Sequence, residues 1–309
     1  MKIIILLLFS LILNSMLSEE KEVFIHDLQG VLPWTSENFD VSEDKFTFAI
    51  FSDLAGGERE GVFEVAVEQL NLLRPEFVIS VGDLIDDTQY KSNVYKKWES
   101  FNSRAQKINA PIFYVGGNND LSNRVMKETW EEKYGPTYYH FVYKNILFLI
   151  MDTEDYPKGI NNPSSYSREF LISGDISDEQ KNYFLKAINQ NKNVSWTFVF
   201  LHKPIWLKSK ELKFLEIERA LRNQPYTVFN GHLHTYSYDK RNNRDYIMLG
   251  TTGGRQWSKE STSFDHLTLV TIDKKEPSIV NLKLDGILNK QGDIPKNEQD
   301  LCFHAFECE

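Results

Sequence analysis

Cysteine is nearly absent: the 309 residues hold two, Cys302 and Cys308, both within the last eight positions. Such a pair reads as a disulfide closing a small terminal loop, which stabilises little elsewhere. A metal role with His304 between them is the weaker alternative, because three residues on a chain end make a poor site. Long apolar runs are also lacking after Leu13, so no later segment is expected to cross a membrane, which takes about 20 apolar residues. Positive charge is in short supply, with 35 Lys and Arg against 44 Asp and Glu and a net charge of −9. That balance argues against a nucleic-acid partner, whose phosphates require a basic footprint. It leaves open a small phosphorylated substrate, since a bound metal supplies local positive charge. Internal repeats and low-complexity tracts are absent.

What is present begins with Lys2 and an apolar run from Ile3 to Leu13, broken only by Ser10, then Asn14, Ser15 and Ser18. A basic start, a short apolar run and a small-residue exit are the parts of a secretory signal. Residues 1–18 are therefore expected to be a signal peptide and the protein exported, periplasmic or extracellular. A membrane anchor is the competing reading, disfavoured by the shortness of the run. Residues 19–44 read as an N-terminal arm, 45–286 as the globular domain and 287–309 as a C-terminal tail.

A hydrophobic fraction of 41% with 13% aromatics supports a substantial core. Apolar runs rich in β-branched and aromatic residues predict buried strands at Phe46–Phe51, Phe77–Val81, Ile112–Val115, Ile146–Met151, Trp196–Leu201 and Tyr226–Phe229. Further strands are expected at Tyr246–Leu249, His266–Ile272 and Ser278–Leu284. Helical spacing links Val62, Phe63, Ala66, Val67, Leu70 and Leu73, and again Tyr183, Phe184, Ala187 and Ile188. Ser177 with Gln180 fits a capping box opening that second helix. Strands alternating with helices indicate an α/β layered domain. The segment Glu154–Gly174, with Pro157, Gly159 and Pro163, reads as a long loop.

Five of these strands end in a side chain able to bind metal. FTFAIF is followed by Asp53, FVISV by Gly82-Asp83 and Asp86, and IFYV by Asn118-Asn119-Asp120. WTFVFL is followed by His202, and YTVF by His232-Leu233-His234. In α/β sheets ligands bind at the carboxyl ends of strands, so the five ends point to one site. Carboxylate with imidazole suits Mn, Fe or Zn better than the all-oxygen shells of Mg or Ca. The other histidines, His26, His140, His266 and His304, have no such setting and read as structural or surface residues. Asp152, after ILFLIM, faces the cleft or merely starts a turn. Thr251-Thr252-Gly253-Gly254 forms an anion-binding loop or a plain glycine turn. Trp206 and Trp257 line a substrate pocket or simply pack.

The order Asp53, Gly82-Asp83-x-x-Asp86, Gly117-Asn118-x-Asp120, His202, Gly231-His232-x-His234 resembles the calcineurin-like metallophosphoesterase superfamily, over about Lys45 to Gly286. The resemblance implies a two-sheet β-sandwich flanked by helices, with up to two divalent metals at the strand ends. It implies that Asp83 bridges them, that Asn118, His202 and His232 complete one position, and that Asp53 and His234 complete the other. Asp86 would orient ligands from behind; its identity argues against the purple acid phosphatase branch, which carries Tyr there. Two departures stand out. The family's Asp-x-His is here Asp53-Leu54-Ala55, which depletes one metal position. Its Gly-Asn-His-Asp is here Gly117-Asn118-Asn119-Asp120. Asn119 and Asp120 are the candidate catalytic residues; Asn119 can donate a hydrogen bond to phosphate but cannot deliver a proton. The expected function is metal-dependent phosphoester hydrolysis, with hydroxide held at the metal attacking phosphorus, weakened for poor leaving groups. The alternatives are a catalytically degenerate protein that binds metal or a phosphorylated ligand, and a purely structural module.

Overall fold

A computed structural model describes residues 23–39, 45–156, 174–208, 212–257, 261–273, 276–296 and 301–303. The signal read at 1–18, most of the loop after Glu154, His304 and Cys308 lie outside the described residues. The strands are β1 (Phe24–Ile25), β2 (Phe46–Phe51), β3 (Phe77–Val81), β4 (Ile112–Val115), β5 (Tyr139–Tyr143) and β6 (Ile146–Met151). They continue with β7 (Trp196–Leu201), β8 (Tyr226–Asn230), β9 (Ser237–Arg241), β10 (Arg244–Met248), β11 (His266–Asp273) and β12 (Glu276–Lys283). The helices are α1 (Val62–Leu73), α2 (Lys91–Ala105), α3 (Arg124–Tyr134), α4 (Asp178–Gln190) and α5 (Leu212–Leu221).

The strands form two sheets, ordered β12-β11-β2-β3-β4 and β1-β5-β6-β7-β8-β10-β9. Neighbours are parallel within β2-β3-β4 and within β6-β7-β8-β10, and the outer pairs are antiparallel. Alternation along each strand sorts the core into three layers. Phe48, Phe77, Phe113, Phe148, Phe198 and Phe229 meet between the sheets. On the opposite face of the five-stranded sheet, Ala49, Phe51, Val78 and Tyr114 pack beneath α1, α2 and α3. On the far face of the other sheet, Leu147, Leu149, Val199 and Val228 meet α4 and α5. Burial on both faces is why these strands read as continuous apolar runs. The architecture is therefore the two-sheet α/β sandwich flanked by helices that was expected.

Local signals work as expected at α4, where the Ser177 hydroxyl accepts the Gln180 N–H at 3.0 Å. The segment read as an arm also enters the fold. Phe24 pairs with Tyr143, Trp34 bridges to Phe113, and the Pro33 carbonyl accepts the Tyr114 N–H at 2.9 Å. It thereby covers the free edge of β4, a place where an exposed strand would invite aggregation. At the other end of the chain, Phe303 is buried in the layer beneath the helices. Cys302 beside it is disulfide-bonded. Among the described residues, no helix is long and apolar enough to cross a membrane.

Candidate metal centre

The carboxyl ends of β2, β3, β4, β7 and β8 converge. Ligand atoms of Asp83, His202 and His232 lie within 4.8 Å of one another, and so do those of Asp53, Asp83 and His234. All five side chains are buried. Asp83 belongs to both groups.

The backbone is bent to deliver these groups. Asp53, Asp83, His232 and His234 all have positive φ, at 54°, 53°, 78° and 52°. Such a conformation is uncommon outside glycine, and each instance costs of order 1 kcal/mol or more. Four in one cluster mark it as a place where geometry is held against local preference. Close approach adds a further constraint. A Cβ at Gly231 would sit 2.3 Å from both Asp53 Oδ2 and Ser52 Oγ. Only glycine lets β8 pass Asp53 this closely. Asp53 is held in turn by the His232 N–H, 3.1 Å from Oδ1, and by the Ser52 hydroxyl, 2.5 Å from Oδ2.

The histidine orientations fit a cation. His202 Nδ1 donates to the Val81 carbonyl at 2.8 Å, and His234 Nδ1 donates to the Arg255 carbonyl. Each ring therefore turns its Nε2 inward: His202 Nε2 is 3.3 Å from Asp83 Oδ2, and His234 Nε2 is 3.4 Å from Asp53 Oδ1. A neutral imidazole with Nδ1 protonated presents a lone pair there, facing a carboxylate. Either a proton or a metal cation must lie between them, and anchoring of the outer nitrogen by a backbone carbonyl is the habit of metal-binding histidine. Asn118 Oδ1 is likewise buried with no hydrogen-bond partner among the described residues. The donor set fits a divalent metal.

Charge follows this geometry. Burial alone would lower the pKa of His202, but Asp83 and then Asp53 raise it to about 10. Burial opposes charge on Asp83, yet His202, His232 and the Asn119 N–H hold its carboxyl well below the usual range. His234 is raised against its burial by Asp53. His232, buried beside His202 and Lys203, is pushed well down and is neutral. A metal bound here would compete with the proton that Asp83 favours on His202.

The flanking residues take places that their motif positions alone did not reveal. Asp120, expected to be catalytic, is fully buried behind the cleft. Its oxygens accept the N–H groups of Leu84 at 2.9 Å, Ile85 at 3.2 Å and Gly117 at 2.9 Å. It ties the loop after β3 to the loop after β4 and is buried away from open space. Burial and the charge of Asp83 push its carboxyl up to about 7. Asn119, half-buried, donates to Asp83 twice, from its backbone N–H to Oδ1 and from its carboxamide to Oδ2, both at 2.8 Å. Asp86 accepts the Gly56 N–H at 2.7 Å, with its other oxygen 3.8 Å from Lys97. It supports the loop after Asp53 rather than a ligand side chain. Ala55 is buried and donates its N–H to the Asp83 carbonyl at 2.8 Å.

The open alternatives also resolve. Asp152 is buried and accepts the Glu154 N–H at 2.7 Å, a turn residue. Gly253 N–H donates to Asp265 at 2.9 Å, so that loop binds an internal carboxylate, itself paired with Arg59. Trp206 packs against Phe214 and Tyr246. Trp257 stands exposed at the edge of the site, its ring centroid 5.9 Å from that of His234.

The calcineurin-like phosphoesterase pattern matches residues 46–236, well over half of the chain. The chain belongs to the calcineurin-like phosphoesterase family. Similar curated proteins include human serine/threonine-protein phosphatase CPPED1, 26% identical over 209 residues, covering 62% of this chain and 64% of the human one. The mouse protein of the same name is 24% identical over 241 residues, 71% of this chain and 70% of its own. The chain thus spans under two thirds of the human relative's length. Among solved structures, a dimetal phosphatase from Danio rerio superposes with a TM-score of 0.56 at 16% identity, over 77% of this chain and 96% of that one. A purple acid phosphatase from yellow lupin superposes with a TM-score of 0.53 at 14% identity, over 78% and 52%. At these identities the superpositions speak for the fold.

Proposed function

We propose that this protein is a divalent-metal-dependent phosphoester hydrolase acting on a small phosphorylated substrate. The observation that carries the reading is the pair of buried ligand groups sharing Asp83 at the strand ends. Asp83, Asn118, His202 and His232 would hold one cation. Asp53, Asp83 and His234 would hold a second more weakly, since Ala55 offers no ligand. Mn, Fe and Zn suit this mixed set. Bound divalent metal supplies charge to neutralise phosphoryl oxygens and acidifies water at neutral pH.

The chain's own residues set what else is possible. Asp120 holds the loop that carries Asn118 and Asn119. Asn119 fixes Asp83 through one carboxamide N–H, which leaves the second N–H for a phosphate oxygen, but it has no proton to give a leaving group. Hydrolysis forms a bond from water oxygen to phosphorus as the ester P–O bond breaks, and the ester oxygen leaves with the electron pair. Without an acid it leaves as an anion, which favours acidic leaving groups. Export is part of the proposal, and the disulfide-bonded Cys302 supports it, because such bonds persist in oxidising compartments.

The test is to purify the chain, measure bound metal, and assay aryl phosphate mono- and diesters with added Mn, Zn or Fe. Turnover that chelator abolishes, and that Asp83→Ala lacks, is expected. A second reading, a degenerate protein that only binds metal or a phosphorylated ligand, is favoured by the commitment of the Asn119 carboxamide to Asp83. No turnover with any metal, and at most one metal per chain, would decide for that second reading.

A further inference from the structure

The sixth tryptophan of the chain is placed unlike the other five. Trp34, Trp98 and Trp130 are buried, Trp196 and Trp206 are half-buried, and Trp257 is 58% exposed. It stands beside a metal ligand, with its ring tilted by 44° at 5.9 Å from His234. The Arg255 guanidinium lies over the same indole, 4.6 Å from its centroid. The Arg255 carbonyl is also the group that anchors His234 Nδ1. One short segment therefore orients the metal ligand and presents an aromatic plane next to it.

The loop after β2, which also meets His234, carries little side chain at Ala55, Gly56 and Gly57. Ala55 is buried, and Gly56 and Gly57 follow with φ of 78° and 99°. A Cβ at Gly56 would sit 3.4 Å from His234 Cε1, and one at Gly57 would sit 3.3 Å from Arg255 Cβ. Both positive φ values also disfavour any larger residue. The approach to His234 is thus low where the glycines pass it, and the indole stands beside the same ring. A large exposed aromatic held by a stacked guanidinium at the mouth of a site is a platform for another planar group.

We infer that Trp257 and Arg255 form a subsite for the aromatic leaving group of an aryl phosphoester, which deepens the proposed hydrolase reading and rests on it for turnover. The chemistry agrees with the missing acid. A phenolate is a weak base and departs with the P–O electron pair without being protonated in the cleft. Its proton comes from solvent afterwards, while the attacking water leaves its oxygen on phosphate and gives up one proton to solvent. An alkyl oxygen would need the proton that Asn119 cannot supply. The CPPED1 relatives are named serine/threonine-protein phosphatases, so an alkyl phosphoester is the contrast to test.

The variants are Trp257→Ala, Trp257→Phe and Arg255→Ala, each checked for metal content against the parent protein. With 4-nitrophenyl phosphate, Trp257→Ala is expected to raise KM about tenfold, the size of a lost stacking contact, while Trp257→Phe stays near the parent. With a phosphoserine peptide, KM is expected to stay constant across the series. A second measurement needs no turnover: binding of phenylphosphonate against methylphosphonate by calorimetry. The parent is expected to prefer the phenyl compound about tenfold, and Trp257→Ala to lose that preference. Equal effects on both esters, or no phenyl preference in the parent, overturn the subsite. A parent that hydrolyses nothing yet keeps the phenyl preference overturns the hydrolase reading and leaves the subsite standing.

Discussion

At the scale of single residues, the site is defined as much by what Asn119 does as by what it lacks. Its carboxamide and backbone N–H both hold Asp83, at 2.8 Å each. A histidine there would retain the backbone bond, lose the carboxamide bond, and present an imidazole able to protonate a leaving group. General acid catalysis typically contributes about 10²- to 10⁴-fold. Asn119→His is therefore expected to raise kcat/KM for alkyl phosphates toward that range while changing aryl phosphates little. Steady-state kinetics on the two ester classes, with metal content measured alongside, checks this. An equal change for both classes would show that the residue acts through Asp83 and the metal rather than through the leaving group.

At the scale of elements, the strands that build the site were plain in the sequence because each is a short, doubly buried apolar run. The expected limits of β2, β3, β4, β6 and β7 match the observed ones. The antiparallel strands β11 and β12 were also legible, but β5 and β9 were not. Ser237–Arg241, the exposed edge strand β9, carries mostly polar residues and has no apolar run to betray it. In Tyr139–Tyr143 the polar His140 and the flanking tyrosines interrupt the apolar run, although all five residues are buried. The convergence of metal ligands was equally legible, since each follows a strand. The positive φ values, the Arg255 carbonyl behind His234 and the burial of Asp120 were not, because each depends on which loops the fold brings together. Asp120 gives the prediction at this scale. Removing its carboxylate strands three buried N–H groups, those of Leu84, Ile85 and Gly117. Unsatisfied buried donors cost about 1–3 kcal/mol each and are not additive. Asp120→Ala is expected to lower stability by about 2–4 kcal/mol and to weaken metal binding, by loosening Asp83 and Asn118 together. Urea unfolding and metal titration check the two effects. Loss of activity with stability and metal affinity intact would return Asp120 to a direct role in the chemistry.

At the scale of the whole molecule, the two sheets are joined by an aromatic layer, and stability against acid depends on groups buried at its margin. His266 opens β11, the strand beside β2, and is buried among Phe264, Tyr236 and the loop after β10. Its Nε2 accepts the Gly250 N–H at 2.9 Å. A proton on that nitrogen would set two donors against each other in a buried place. Burial accordingly pushes its pKa down from 6.5 to about 4. The unfolded chain takes up this proton as the pH falls through about 6.5, while the folded chain resists until about 4. Between those values the unfolded state binds more protons, so folding stability falls as the solution is acidified, by about 1.4 kcal/mol per pH unit. From pH 7 to pH 5 the contribution is about 2 kcal/mol. Gln at this position offers an oxygen to Gly250 and does not titrate. In the presence of chelator, which removes the stabilisation supplied by bound metal, urea unfolding at the two pH values should show the parent losing about 2 kcal/mol more than His266→Gln. If the two proteins lose the same amount between pH 7 and pH 5, the acid sensitivity resides in other groups and His266 is protonated without penalty.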